Sequence, residues 1–201
     1  MDMNFDEQIR FLLTDRMSGV YGQGTRRNNS GLLDLVNRIN PAKVSMVEIG
    51  CHRGVSTRFF ASRFEKVTTV DIWGIGLPSP TKVYRGGITS EWSEIEADAR
   101  RNLAGLPNVD ILKMDSLAAC PRFAEGSLGF VYIDGDHSHD GVSRDIVGWC
   151  GKIEPGGFIG GHDYPGRGCR GVVDQFMADN GLELELFSDC SWLAAIQRRI
   201  Q

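Results

Sequence analysis

The stretch Val47-Glu48-Ile49-Gly50-Cys51-His52-Arg53-Gly54-Val55-Ser56-Thr57 constrains this chain more than any other. Val44 to Ile49 is an apolar run suited to a buried parallel strand, and Gly50 and Gly54 fall where the backbone must turn. From Ser56 to Phe64 the period changes, and Phe59, Phe60 and Phe64 return on one helical face. A strand, a glycine turn and a helix in succession direct the unpaired N–H groups of the helix start at whatever lies over the strand tip. The dinucleotide fingerprint G-x-G-x-x-G is not met, because His52 and Val55 stand where its second and third glycines belong. An ordinary βα turn that binds nothing is the competing reading. Glu48 argues against it, since a carboxylate at the end of the first strand can receive an ammonium group.

The 201 residues are 41% hydrophobic and 24% charged, the composition of a globular domain. Residues 1–40 read as an N-terminal helical and loop extension, with an apolar face from Phe5, Ile9, Phe11, Leu12 and Leu13, and residues 41–201 as the main domain. A net charge of −4 gives no basic footprint for nucleic acid. No apolar run has the length of a membrane span, and no signal peptide is visible. The five cysteines include no C-x-x-C pair, which predicts reduced, mostly buried thiols in a cytoplasmic protein. The first helix offers a surface for pairing with a second subunit.

Gly31 to Ile39 carries a helical pattern that Pro41 ends. The second strand is Val67–Ile72, and its Asp71 lies about twenty residues beyond Gly50, the spacing at which an acid accepts hydrogen bonds from ribose hydroxyls. Trp73 to Ser90, rich in Gly, Pro, Ser and Thr, reads as a lid or specificity loop. Ser90 is placed to cap a helix running to Leu103. Val109–Lys113 is the third strand, followed by Asp115 and Ser116, either a simple turn or a polar pair facing a ligand. Leu182–Phe187 and Trp192–Gln197 read as two closing strands after a helix at Val172–Met177.

A second centre lies further along. Phe130–Ile133 is a β-rich run that ends in Asp134-Gly135-Asp136-His137-Ser138-His139-Asp140. A helix from about His139 to Gly151 follows, then Pro155-Gly156-Gly157, a strand at Phe158–Gly160, and His162-Asp163-Tyr164. This is a βαβ unit, so its two strands run parallel and end on one edge, about 4.8 Å apart if they are neighbours. Asp134 and Asp136 then face His162 and Asp163. Carboxylates converging without an obvious Lys or Arg repel one another unless a cation lies between them. Oxygen donors favour Mg²⁺ or Mn²⁺, and the imidazole favours Mn²⁺, Fe²⁺ or Zn²⁺. The competing reading has Asp136 capping the helix, His137 and His139 solvated, and His162 in the core. Arg167 and Arg170, in a Gly-rich loop, either meet an anionic substrate or are solvated.

The pattern E-x-G-x-x-x-G at Glu48–Gly54 resembles the first motif of class I S-adenosylmethionine-dependent methyltransferases, apart from His52, where that family usually has glycine. The runs I-D-G-D-H-S-H-D-G-V and P-G-G-F-I-G-G-H-D-Y resemble the small members related to macrolide and aminocoumarin sugar O-methyltransferases, over roughly Val44 to Ile200. The resemblance implies a Rossmann-like α/β fold. Its sheet would have seven mostly parallel strands, a C-terminal antiparallel hairpin and helices on both faces. It implies S-adenosylmethionine held by Glu48, Gly50, His52, Gly54, Ser56, Asp71, Asp115, Ser116 and Asp134, with Asp115 and Ser116 at the adenine. It implies a divalent ion on Asp134 and Asp163, with His162 in place of an acid, and Asp136 as general base. His137 is the second choice for that base. The acceptor would be a small hydroxylated molecule such as a sugar. Two alternatives stand beside this reading: a non-haem iron hydroxylase on the same fold, with one His and two carboxylates, and a non-catalytic nucleotide-binding module.

Overall fold

The computed structural model describes residues 30–76, 82–85, 88–166, 168–198 and 200. The helix expected over 1–18, the loop after it and Arg167 lie outside the described residues. The order of elements is α1 (Ser30–Ile39), β1 (Ser45–Ile49), α2 (Val55–Ala61), β2 (Lys66–Asp71), β3 (Lys82–Arg85), β4 (Ile88–Glu91), α3 (Trp92–Leu103), β5 (Val109–Lys113), α4 (Ser116–Ala119), β6 (Leu128–Ile133), α5 (His139–Cys150), β7 (Ile153–Gly161), α6 (Arg170–Asn180), β8 (Glu185–Leu186) and β9 (Trp192–Ala195). Seven strands form one sheet in the order β5-β2-β1-β6-β7-β9-β8. The first five in that order are parallel, while β9 runs antiparallel to both β7 and β8. This is the Rossmann-like methyltransferase fold, with the expected antiparallel closing hairpin.

Side-chain alternation along the strands builds a core on each face of the sheet. Val47 and Ile49 of β1, Val131 and Ile133 of β6, and Trp192 and Ala194 of β9 face one way, against Ile146 and Trp149 of α5 and Val173 of α6. Met46, Phe130, Tyr132 and Leu193 face the other way, against Leu35 and Val36 of α1 and Phe59 and Phe60 of α2. Helix α1 falls within the stretch read as an extension, yet it contributes to this second core. A third cluster joins Cys51 and Trp73 to Ile95, Ala99 and Leu103 of α3.

Three local expectations are corrected. The stretch Trp73–Ser90 is not loop throughout, because β3 and β4 pair as an antiparallel hairpin apart from the main sheet. Its β-formers come in two short pairs, Val83-Tyr84 and Ile88-Thr89, flanked by Gly and Pro, which hides the strand signal. Helix α3 is capped by Glu91 in a capping box with Glu94, not by Ser90, whose hydroxyl accepts a hydrogen bond from Arg53. The strand expected at Phe158–Gly160 extends from Ile153 to Gly161 and takes in Pro155-Gly156-Gly157. Among the described residues, no helix is long and apolar enough to cross a membrane.

Candidate active site

Parallel pairing aligns the C-terminal tips of β2, β1, β6 and β7. Gly50 N–H donates to Val70 O (2.9 Å), Asp134 N–H to Ile49 O (2.8 Å) and His162 N–H to Ile133 O (3.0 Å). The glycine turn after β1 therefore lies directly beside the Asp-Gly-Asp turn after β6. Gly50 has φ 94°, and a Cβ built on it would stand 2.1 Å from Asp134 O, so conformation and space both require glycine. His52 adopts φ 49°, a left-handed residue at the position where the related motif has glycine. Gly54, at φ 77°, precedes the first turn of α2.

Asp71, at the tip of β2, binds this turn. Its Oδ2 accepts from the backbone N–H of Cys51 (2.9 Å) and His52 (2.8 Å), and its Oδ1 from Trp73 N–H (2.8 Å). Burial raises its pKa, opposed by those three backbone bonds. The Trp73 indole, 3% exposed, donates to His52 O at 2.8 Å and so supports the turn from the other side. Arg53 ties the turn to α3 and the hairpin through Asp98 and Ser90.

Glu48 is fully buried, on the face shared with Met46 and Tyr132. Its carboxylate accepts from the hydroxyls of Ser56 (2.5 Å), Thr57 and Thr69 (2.9 Å), and burial pushes its pKa up to about 7. The group expected to face an ammonium is thus turned into the fold, where it fixes the start of α2. Thr57 and Thr69 were not among the sequence candidates. Their signal is that a carboxylate on a buried strand requires donors from its neighbours.

At β5, the Asp115 carboxylate accepts from the N–H groups of Leu117 and Ala118 and lies 3.5 Å from Arg144. The Ser116 hydroxyl, in a residue 7% exposed, accepts from the Trp149 indole at 2.8 Å, and burial pushes the pKa of Asp145 up to about 6. Both side chains expected at a ligand are engaged within the fold.

The second centre converges. Asp134, His162 and Asp163 each present a donor atom, all within 4.8 Å of one another. His162 Nδ1 lies 3.3 Å from Asp163 Oδ1, and its side chain is 13% exposed. Burial lowers the His162 pKa, but the Asp163 hydrogen bond and the Asp134 charge outweigh it and leave the pKa raised. His137 Nε2 lies 3.5 Å from Asp163 Oδ2 and 3.9 Å from Asp134 Oδ1. Asp163 adopts φ 56°, uncommon outside glycine and of the kind that collects at functional sites. Asp136 is placed differently: its Oδ1 accepts from Ser138 N–H (2.9 Å), and its side chain lies against Gly141 in the first turn of α5. The cap itself is Ser138, whose hydroxyl accepts from Gly141 N–H at 3.1 Å. His139 is exposed, and Arg170 is engaged with Asp174 and the Tyr164 ring.

A glycine turn beside a cluster of acids and imidazoles, at one edge of a seven-stranded sheet, places the chain in the Rossmann-like fold class. A family model for a methyltransferase domain matches residues 47–164, more than half of the 201 residues, and the chain belongs to that family. No curated protein matches the chain in sequence. Several solved structures share its fold. The O-methyltransferase NovP is 19% identical with a TM-score of 0.61, over 85% of this chain and 78% of its own. An O-methyltransferase from Bacillus cereus, solved in complex with SAH, is 16% identical with a TM-score of 0.59, over 98% and 93%. The O-methyltransferase TomG from Streptomyces achromogenes, solved with SAM, is 13% identical with a TM-score of 0.57, over 98% and 90%.

Proposed function

We propose that this methyltransferase uses S-adenosylmethionine to methylate a hydroxyl oxygen of a small hydroxylated molecule, a sugar being the favoured class, with a divalent ion assisting. The observation that carries the reading is the adjacency of two sites. The turn held by Asp71 lies over β1 and β2, and the Asp134–His162–Asp163 cluster lies over the neighbouring β6 and β7. The fold shared with O-methyltransferases solved with SAM or SAH supports it.

In this reading the turn at Gly50, His52 and Gly54 lets the backbone approach the cofactor closely, and Asp71 receives the ribose hydroxyls. Glu48 acts through Ser56 and the start of α2, while Asp115 and Ser116 lie at the adenine end. S-adenosylmethionine supplies a methyl group already activated by its sulfonium. The remaining work is to position the acceptor and remove its proton.

The donor set fits a divalent ion: two carboxylates and one imidazole, with separations that one ion can span. Asp134, His162 and Asp163 would hold it, and when bound it would lower the pKa of an acceptor hydroxyl. His137 and Asp136 are the proton acceptors within this turn. The geometry favours His137, because an Asp136 oxygen is already engaged by Ser138 N–H.

Binding of S-adenosylhomocysteine to variants tests the division of labour. Asp71→Ala is expected to weaken binding by about 1–3 kcal/mol. Asp134→Ala is expected to leave binding near the parent value and to abolish the response to metal. Retention of the metal response in Asp134→Ala would remove the ion from the reading. The same one-histidine, two-carboxylate set also supports an iron-dependent hydroxylase, which would require iron and oxygen for turnover.

A further inference from the structure

We infer that the cluster at the tips of β6 and β7 selects a borderline transition ion over Mg²⁺, and that His162 sets this preference. The inference rests on the proposed metal-assisted reading and specifies which class of ion that site takes.

Three observations carry it. His162 is the least exposed of the three donors, with its side chain 13% exposed against 30% for Asp134 and 27% for Asp163. Its backbone is pinned on both sides: the N–H donates to Ile133 O at 3.0 Å, and the carbonyl lies 3.5 Å from Cys169 Sγ. Its Nδ1 stands 3.3 Å from Asp163 Oδ1, about the separation of two adjacent donors around one ion with bonds of about 2.1 Å. The imidazole is thus the most enclosed member of the donor set, on a backbone held at both its N–H and its carbonyl. Mg²⁺ prefers oxygen donors and surrenders its water shell reluctantly, so an imidazole in place of a carboxylate removes both charge and an oxygen it would favour. A nitrogen donor instead strengthens binding along the series from Mn²⁺ through Co²⁺.

The test uses the full chain, stripped with a chelator and titrated calorimetrically with MgCl₂, MnCl₂ and CoCl₂ separately. Visible absorption follows the Co²⁺ titration. The parent is expected to bind Mn²⁺ and Co²⁺ more tightly than Mg²⁺, with a Co²⁺-to-Mg²⁺ ratio of roughly tenfold or more. His162→Asp is expected to narrow that ratio and shift the Co²⁺ absorption toward an all-oxygen spectrum. His162→Gln, which leaves no added charge, is expected to lose Co²⁺ affinity without gaining Mg²⁺. Equal affinity for the three ions in the parent, or an unchanged ratio in His162→Asp, overturns the inference and leaves the metal-assisted reading standing. Absence of binding by any ion, in a protein that still binds S-adenosylhomocysteine, overturns both.

Discussion

Glu48 illustrates how one residue's surroundings change its expected role. Its position at the end of β1 is legible in the sequence, and its hydroxyl partners are not. Ser56 and Thr57 lie one turn away and Thr69 one strand away, so the network exists only after β1, β2 and α2 assemble. The network has a measurable pH signature. The folded-state pKa of Glu48 is raised from 4.5 to about 7 by burial. The fold therefore favours the protonated form. Its contribution to stability is full below the unfolded pKa and is lost as pH rises through about 7. Glu48→Gln keeps the shape and removes the titration. Urea unfolding at pH 5 and pH 8 is expected to show the parent losing about 2–3 kcal/mol relative to this variant across that interval. Parallel pH dependence of the two proteins would show that Glu48 is not held in this way. The same logic separates the site residues that were readable from those that were not. Asp71, Asp134, His162 and Asp163 end strands, and strand ends follow from hydrophobic periodicity. Thr57, Thr69 and Trp73 act through contacts that periodicity does not encode.

Among the elements, strands and helices that bury a face declared themselves, and segments that do not were misread. The β6–α5–β7 unit appeared with its parallel direction because a helix between two strands carries the chain back to the end where the first began. The β3–β4 hairpin was missed because its strands are four residues each and lie outside the main sheet. Helix α5 shows how a boundary matters for the site. Its Ser138 cap ends the Asp-Gly-Asp-His turn, and Asp136 is drawn back to the Ser138 N–H. Removing the cap with Ser138→Ala is expected to cost about 1 kcal/mol of stability by chemical denaturation. It is also expected to weaken metal binding at Asp134 while sparing S-adenosylhomocysteine, because the turn after β1 is held separately by Asp71. Equal loss of both ligands would mean that the two turns are not independent.

Taken whole, the molecule places the turn held by Asp71 and the Asp134–His162–Asp163 cluster on one edge of its sheet, each at its own pair of strands. A parallel sheet does this by construction, since every strand tip and every βα turn faces the same side. The sequence therefore permitted the fold class and the edge of the site to be read, while the identity of the acceptor depends on segments with no comparable code. On the function proposed above, the turn after β1 is an S-adenosylmethionine site and not a structural bend. Calorimetric titration of the 201-residue chain with S-adenosylhomocysteine, in a buffer containing Mn²⁺, distinguishes the two. Saturable binding at one site per chain, weakened in Asp71→Ala, is the expected result. An absence of heat up to the solubility limit of the ligand, in protein shown to be folded, would contradict it.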